Sequence, residues 1–169
     1  SRVYMFFGSG ATGTIDPTNF VTFQGVAGQE LGRPAQFLED INGDGIGEVL
    51  LMAPRVNTDR GRGFLFYGRS ITAWKAMTQP INPLTTADRI IEGPTQGAVT
   101  VPPLFGRNRG GVTTIGVAAD GGFTDFTIPA SRQRWQRLYV FSGQVLADGG
   151  VGTTYTTGTD MANPDQSLQ

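Results

Sequence analysis

Three short runs of this chain share one shape. Residues 2–8 read RVYMFFG, residues 63–68 read GFLFYG and residues 138–143 read LYVFSG. Each gathers aromatic and β-branched residues into a strand-length run that stops at glycine, the pattern of a strand meeting a turn. A second element precedes the later two runs. Residues 37–54 read FLEDINGDGIGEVLLMAP and residues 103–119 read PLFGRNRGGVTTIGVAA; without gaps, Asn42 aligns with Asn108, Gly45 with Gly111, Val49 with Ile115 and Ala53 with Ala119, always 66 residues apart. Further upstream stands a third element, TFQG at 22–25, RIIEG at 89–93 and TYTTG at 154–158. Three elements recurring in the same order constrain the fold more than any composition does, because a repeat builds its core by stacking units of one kind.

One repeat then comprises strands at Phe20–Gln24, 35–38, 48–52 and 63–67, with a tight turn between the second and third. The second repeat uses Arg89–Glu92, 101–105, 113–118 and 135–142, and residues 119–134 read as an insertion in a surface loop. Residues 71–88 link the two repeats and hold a helical turn near 73–77. Four short antiparallel strands per repeat describe a blade of a β-propeller, so the expected class is all-β. Residues 1–10 read as the last strand of a preceding blade, 11–70 as one blade, 89–144 as a second and 145–169 as the start of a third repeat or a tail. Two blades with partial ones at either side are expected to belong to a larger polypeptide or oligomer, since a closed propeller needs at least four.

Composition agrees and excludes several functions. Gly (25) and Pro (10) make 35 of 169 residues, too many for a helical protein. The net charge of −1 lacks the basic excess that nucleic acid demands, and no apolar run is long enough to span a membrane. There is no cysteine and no histidine, which removes thiol chemistry, disulfides and the commonest general base. Nothing places two acids for glycosidase work; Asp120 and Asp125 fall in the expected insertion. The chain is therefore expected not to be an enzyme.

The chemistry lies in residues 40–48, DINGDGIGE. Asp40, Asn42 and Asp44 place oxygens at positions 1, 3 and 5, Gly45 permits the turn, the Ile46 carbonyl is available at position 7 and Glu48 at position 9. Alternate residues of a tight loop point inward, and six to eight oxygens suit Ca²⁺ better than the water-rich octahedron of Mg²⁺. An EF-hand needs an acid at position 12, and Leu51 stands there between apolar neighbours. A calcium loop inside a β-hairpin remains; the simpler alternative is an Asx/Gly turn without metal. The aligned loop at 106–114 has glycines where Asp40 and Asp44 stand, Thr114 in place of Glu48 and two added arginines, so it is not expected to bind.

These residues resemble the FG-GAP repeat of integrin α-subunit propellers. Leu31-Gly32 stands for the Phe-Gly pair, residues 40–48 for the calcium loop, Met52-Ala53-Pro54 for Gly-Ala-Pro and Phe66-Tyr67-Gly68 for the closing strand. The match covers residues 20–69 well and 89–144 more loosely, and Glu48 replaces the usual Asp. The resemblance implies a propeller, usually seven-bladed, with Ca²⁺ held by Asp40, Asn42, Asp44, Ile46 and Glu48. It also implies an extracellular or cell-surface place and a role in adhesion or in binding a protein or glycan. The alternatives are a structural subunit that assembles with copies of itself by strand or blade complementation, or a non-catalytic domain attached to a secreted enzyme. Arg132, Arg134 and Trp135 are candidate ligand contacts, with a solvated hairpin as the plainer alternative. Trp74 is expected to be a packing anchor.

Overall fold

The computed structural model describes residues 1–8, 16–57 and 60–93, together with the backbone of four strands between 113 and 156. Strands dominate, most of them in antiparallel sheets, and the two helices are short. In chain order these are β1 (Arg2–Phe6), β2 (Phe20–Gln24), β3 (Ala35–Phe37), β4 (Val49–Ala53), β5 (Arg62–Phe66), α1 (Ile71–Ala76), α2 (Pro83–Thr86), β6 (Arg89–Glu92), β7 (Thr113–Val117), β8 (Thr124–Arg132), β9 (Trp135–Phe141) and β10 (Thr153–Thr156). The all-β expectation holds. The expected strand at 101–105 lies outside the described residues.

The central sheet has the order β10-β6-β5-β4-β3, with β3 to β6 antiparallel and β10 parallel to β6. β4, between β5 and the edge strand β3, is buried at every residue. An antiparallel sheet commonly leaves one face to water and alternates polar with apolar residues. Here VLLMA does not alternate, because both faces are covered. Val49, Leu51 and Ala53 join Phe64, Phe66 and Ile90 against Met5, Val21 and Phe23 of the β1–β2 pair. Leu50, Met52, Leu65 and Ile91 are fully buried on the opposite face. Gly63 lets that face close, since a Cβ there would stand 2.9 Å from the Met52 sulfur.

Strand pairing departs from the expected scheme by one strand. Phe20–Gln24 does not pair with β3 to β5; it pairs with β1 in a separate two-stranded sheet. Arg89–Glu92 joins the central sheet beside β5 instead of opening a second one. The two pairings obey one rule. Arg2 faces Gln24 as Arg62 faces Glu92, and Val3 faces Phe23 as Gly63 faces Ile91. The polar ends match too: Arg2 Nε donates to Gln24 Oε1 at 3.3 Å, and Arg62 forms an ion pair with Glu92. These two pairings share one register, and the sheets are cut one strand out of step with the expected repeat.

Two more expectations are corrected. Residues 119–134 are not simply an inserted loop, for β8 occupies Thr124–Arg132 and separates β7 from β9 in a three-stranded antiparallel sheet. Its sequence TDFTIPASR alternates over its first half, a strand signal that the alignment gap concealed. Of the TYTTG run, the part within β10 (Thr153–Thr156) lies parallel to β6 in the central sheet, and the rest lies outside the described residues.

The helical turn near 73–77 falls at α1. Ser70 caps it, accepting from the Ala73 N–H at 3.2 Å, and Lys75 sits in its last turn. Trp74 is a packing anchor as expected: it is buried, 5.8 Å from the Phe23 ring and 5.9 Å from the Phe66 ring.

Candidate metal centre

Residues 38–48 form the connection of the β3–β4 hairpin. Leu38 and Glu48 close its base with reciprocal backbone bonds, Leu38 N–H to Glu48 O at 2.9 Å and Glu48 N–H to Leu38 O at 3.2 Å. Between them the chain must coil tightly enough to turn oxygens inward. Gly43 and Gly45 take φ of 80° and 85°, where side-chain-bearing residues are strained. Gly47 answers a different need, because a Cβ there would stand 2.6 Å from the Leu38 carbonyl oxygen.

The acidic side chains are aimed by backbone amides. Asp40 Oδ1 accepts from the N–H groups of Gly43 at 2.7 Å and Asp44 at 3.1 Å, and Oδ2 accepts from Gly45 at 2.7 Å. Asn42 Oδ1 accepts from Asp44 N–H at 2.9 Å, while its Nδ2 donates to Asp44 Oδ2 at 2.9 Å. Asp44 Oδ1 accepts from Ile46 N–H at 2.8 Å. One carboxylate oxygen each from Asp40, Asp44 and Glu48 lie within 4.8 Å of one another. The structure thus brings together the acids that the spacing singled out.

Bonds of the Asx type would also arise in a plain turn. Glu48 does not fit that alternative. It is fully buried; its Oε2 accepts from Ile41 N–H at 2.8 Å, and its Oε1 is buried with no hydrogen-bond partner among the described residues. Burial pushes its pKa up to about 8, the charges of Asp40 and Asp44 push the same way, and the Ile41 N–H opposes them. A turn gains nothing from burying a carboxylate beside two others. A hard cation would supply the missing partner and offset the repulsion; the residues that could hold one are Asp40, Asn42, Asp44 and Glu48 through side chains and Ile46 through its carbonyl.

The spacing alone did not reveal how the loop is braced from below. Gly68, the closing glycine of the repeat, lies under it: an added Cβ would collide with the Ile46 side chain and stand 2.6 Å from the Gly47 carbonyl oxygen. The next residues fasten that turn. Tyr67 N–H donates to Asp88 Oδ2 at 2.8 Å, and Arg69 pairs with Asp88 at 2.6 Å while lying 5.0 Å from the Trp74 ring centre. The strand-ending glycine was the available signal; at Gly68 this close approach requires it, whereas a Cβ at Gly8 would meet nothing within 4 Å. Gly68→Ala is expected to weaken calcium binding at least about tenfold through displacement of the loop, since a 1.4 kcal/mol distortion suffices. Calorimetric titration checks this.

Of the other candidates, Arg132 ends β8 and Trp135 begins β9, opposite each other in register, and Arg134 lies outside the described residues. Most of the loop at 106–114 also lies outside them; its last two residues, Thr113 and Thr114, open β7. No protein-family model matches the chain, and a search of curated proteins finds no match either.

Proposed function

We propose that this chain is a calcium-binding β-propeller module of the FG-GAP type, extracellular or at a cell surface, that serves adhesion or the binding of a protein or glycan and does not catalyse a reaction. The buried, unpartnered Glu48 Oε1 beside Asp40 and Asp44 carries the metal part of this reading. Support for the propeller part comes from a central sheet covered on both faces and from the repeated Arg2–Gln24 and Arg62–Glu92 pairing. Calcium has a structural task in this reading. It ties β3 to β4 at the open end of their hairpin, and because it binds the folded chain it stabilises that chain by mass action.

Thermal unfolding with calcium and with chelator tests the proposal. The melting temperature of the native chain is expected to rise with calcium, by several degrees at a hundredfold excess over Kd, which corresponds to about 2.7 kcal/mol. Asp44→Ala is expected to abolish the rise. No response in the native chain would reduce residues 40–48 to a turn and leave the family reading on strand pattern alone.

The two-stranded β1–β2 sheet favours a second reading, a structural subunit whose sheets are completed by neighbouring copies in a fibre or sheath. Size-exclusion chromatography in calcium separates the two, since a subunit of that kind forms open-ended assemblies.

A further inference from the structure

Six asparagines occur in the chain, and one of them, Asn42, is followed by glycine. An asparagine side chain loses its amide nitrogen when the next backbone nitrogen attacks Cγ, and glycine at that next position offers no Cβ to hinder the approach. Asn19, Asn57 and Asn108 precede Phe20, Thr58 and Arg109, each with a Cβ in the way. Asn82 and Asn163 precede proline, whose nitrogen carries no proton to give up. Asn42 is half-buried on the rim of the loop, and Gly43 is exposed to water.

The bonds around this pair are those that the reaction needs. Gly43 N–H, whose nitrogen must attack, donates to Asp40 Oδ1 at 2.7 Å, so a proton acceptor already rests on it. Asn42 Oδ1, which takes up negative charge as Cγ is attacked, accepts from Asp44 N–H at 2.9 Å. Asn42 Nδ2 donates to Asp44 Oδ2 at 2.9 Å, and this second bond keeps the amide oxygen turned to that N–H. Asn82 makes a similar side-chain bond, accepting from Leu84 N–H at 3.1 Å, but Pro83 follows it.

We infer that Asn42 is a site of spontaneous deamidation, at which the metal-free loop converts itself to an isoaspartyl form. The Gly43 nitrogen gives its proton to Asp40 Oδ1 and bonds to Asn42 Cγ. The Cγ–Nδ2 bond then breaks, and Nδ2 takes the proton from Asp40 and leaves as ammonia. A cyclic succinimide remains, and water opens it at either carbonyl. Opening at Cγ gives aspartate in the original backbone. Opening at the main-chain carbonyl leaves Gly43 attached through Cγ and lengthens the backbone by one atom. That atom falls between the third and fifth positions of the loop, so the oxygens of Asp40 and Asp44 no longer converge. The conversion needs no metal; its consequence for calcium rests on the function proposed above.

Folded chain held in chelator in a mildly alkaline buffer, then mapped by peptide mass spectrometry, tests this. Asn42 is expected to gain the mass of the acid ahead of the other asparagines, with isoaspartate resolved from aspartate by retention time. Asp40→Asn keeps an oxygen for the Gly43 N–H but takes up no proton, so it is expected to slow conversion on the order of a hundredfold while keeping the native circular dichroism. In urea both chains are expected to convert at one rate, slower than the folded native chain, because the oriented bonds are lost. The isoaspartyl fraction, separated by ion exchange, is expected to bind calcium at least about tenfold more weakly than fresh chain. An Asn42 that keeps its amide while Asn57 loses its own would overturn the inference. Equal rates for the native chain folded and in urea would also overturn it. An isoaspartyl fraction that binds calcium like fresh chain would overturn its consequence. A fresh chain that converts at Asn42 but binds no calcium would support the modification and overturn the calcium reading alone.

Discussion

Glu48→Gln is expected to make the metal-free protein more stable at pH 8 while removing its response to calcium. The glutamine keeps an oxygen for the Ile41 N–H and discards the negative charge that is buried without compensation. The sign follows from linkage. The Glu48 pKa rises from 4.5 to about 8 on folding, so the folded state holds the proton more tightly than the unfolded chain does. Below pH 4.5 both states are protonated and the group costs nothing. Between pH 4.5 and 8 the metal-free protein loses stability at up to about 1.4 kcal/mol per pH unit, and above pH 8 the loss levels off. The glutamine variant lacks this slope. Denaturant titrations at pH 5 and pH 8, in chelator, measure the difference directly. In calcium the native chain should regain at pH 8 what it lost, and calorimetry in buffers of different ionisation enthalpy should show proton release on binding near pH 7. A native chain with no pH slope in chelator would mean that Glu48 is not buried as a lone carboxylate.

Phe66→Ala is expected to lower stability by about 3–5 kcal/mol, enough to unfold a marginal domain. Phe66 is fully buried at the end of β5, 5.0 Å from the Phe23 ring and 5.9 Å from the Trp74 ring. It joins three elements, the β1–β2 sheet, the central sheet and α1, so no one of them can close the space that the ring leaves. Phe37→Ala makes the control. That ring is 69% exposed on β3, and its loss should lie within about 0.5 kcal/mol. Urea denaturation of both variants, in calcium, gives the comparison. A Phe66→Ala loss as small as that of Phe37→Ala would mean that the two sheets are not packed through this ring.

Much of the strand content was legible because strand ends are written locally. The glycine-terminated runs gave β1, β5 and β9, and the repeated turn gave β4 and β7, each to within a residue or two. Pairing was less legible. Phe20–Gln24 reads equally well as the first strand of its own repeat or as the partner of the run before it. The choice falls to nonlocal packing of Val21 and Phe23 against the central sheet. β8 was hidden for another reason: alignment to the first repeat left residues 119–134 with no counterpart, and an unmatched stretch was taken for loop. In the metal centre, spacing alone was enough to pick out Asp40, Asp44 and Glu48, because a tight loop converts sequence position into direction. Depth was not legible. Nothing in DINGDGIGE says that its last residue is sealed off while the stretch from Gly43 to Gly47 remains open to water.

That difference in depth leaves the two ends of the hairpin under opposite tolerances for change. Val49 to Ala53 is closed to solvent on both faces, so a substitution at any of its residues alters volume in a packed layer and must be matched by the neighbours on that face. The rim of the loop answers to a looser rule: any short oxygen-bearing side chain in the right place serves, and glycine is fixed by positive φ at Gly43 and Gly45 and by the Leu38 carbonyl at Gly47. Glu48 stands at the junction and inherits both demands, one of chemistry and one of shape.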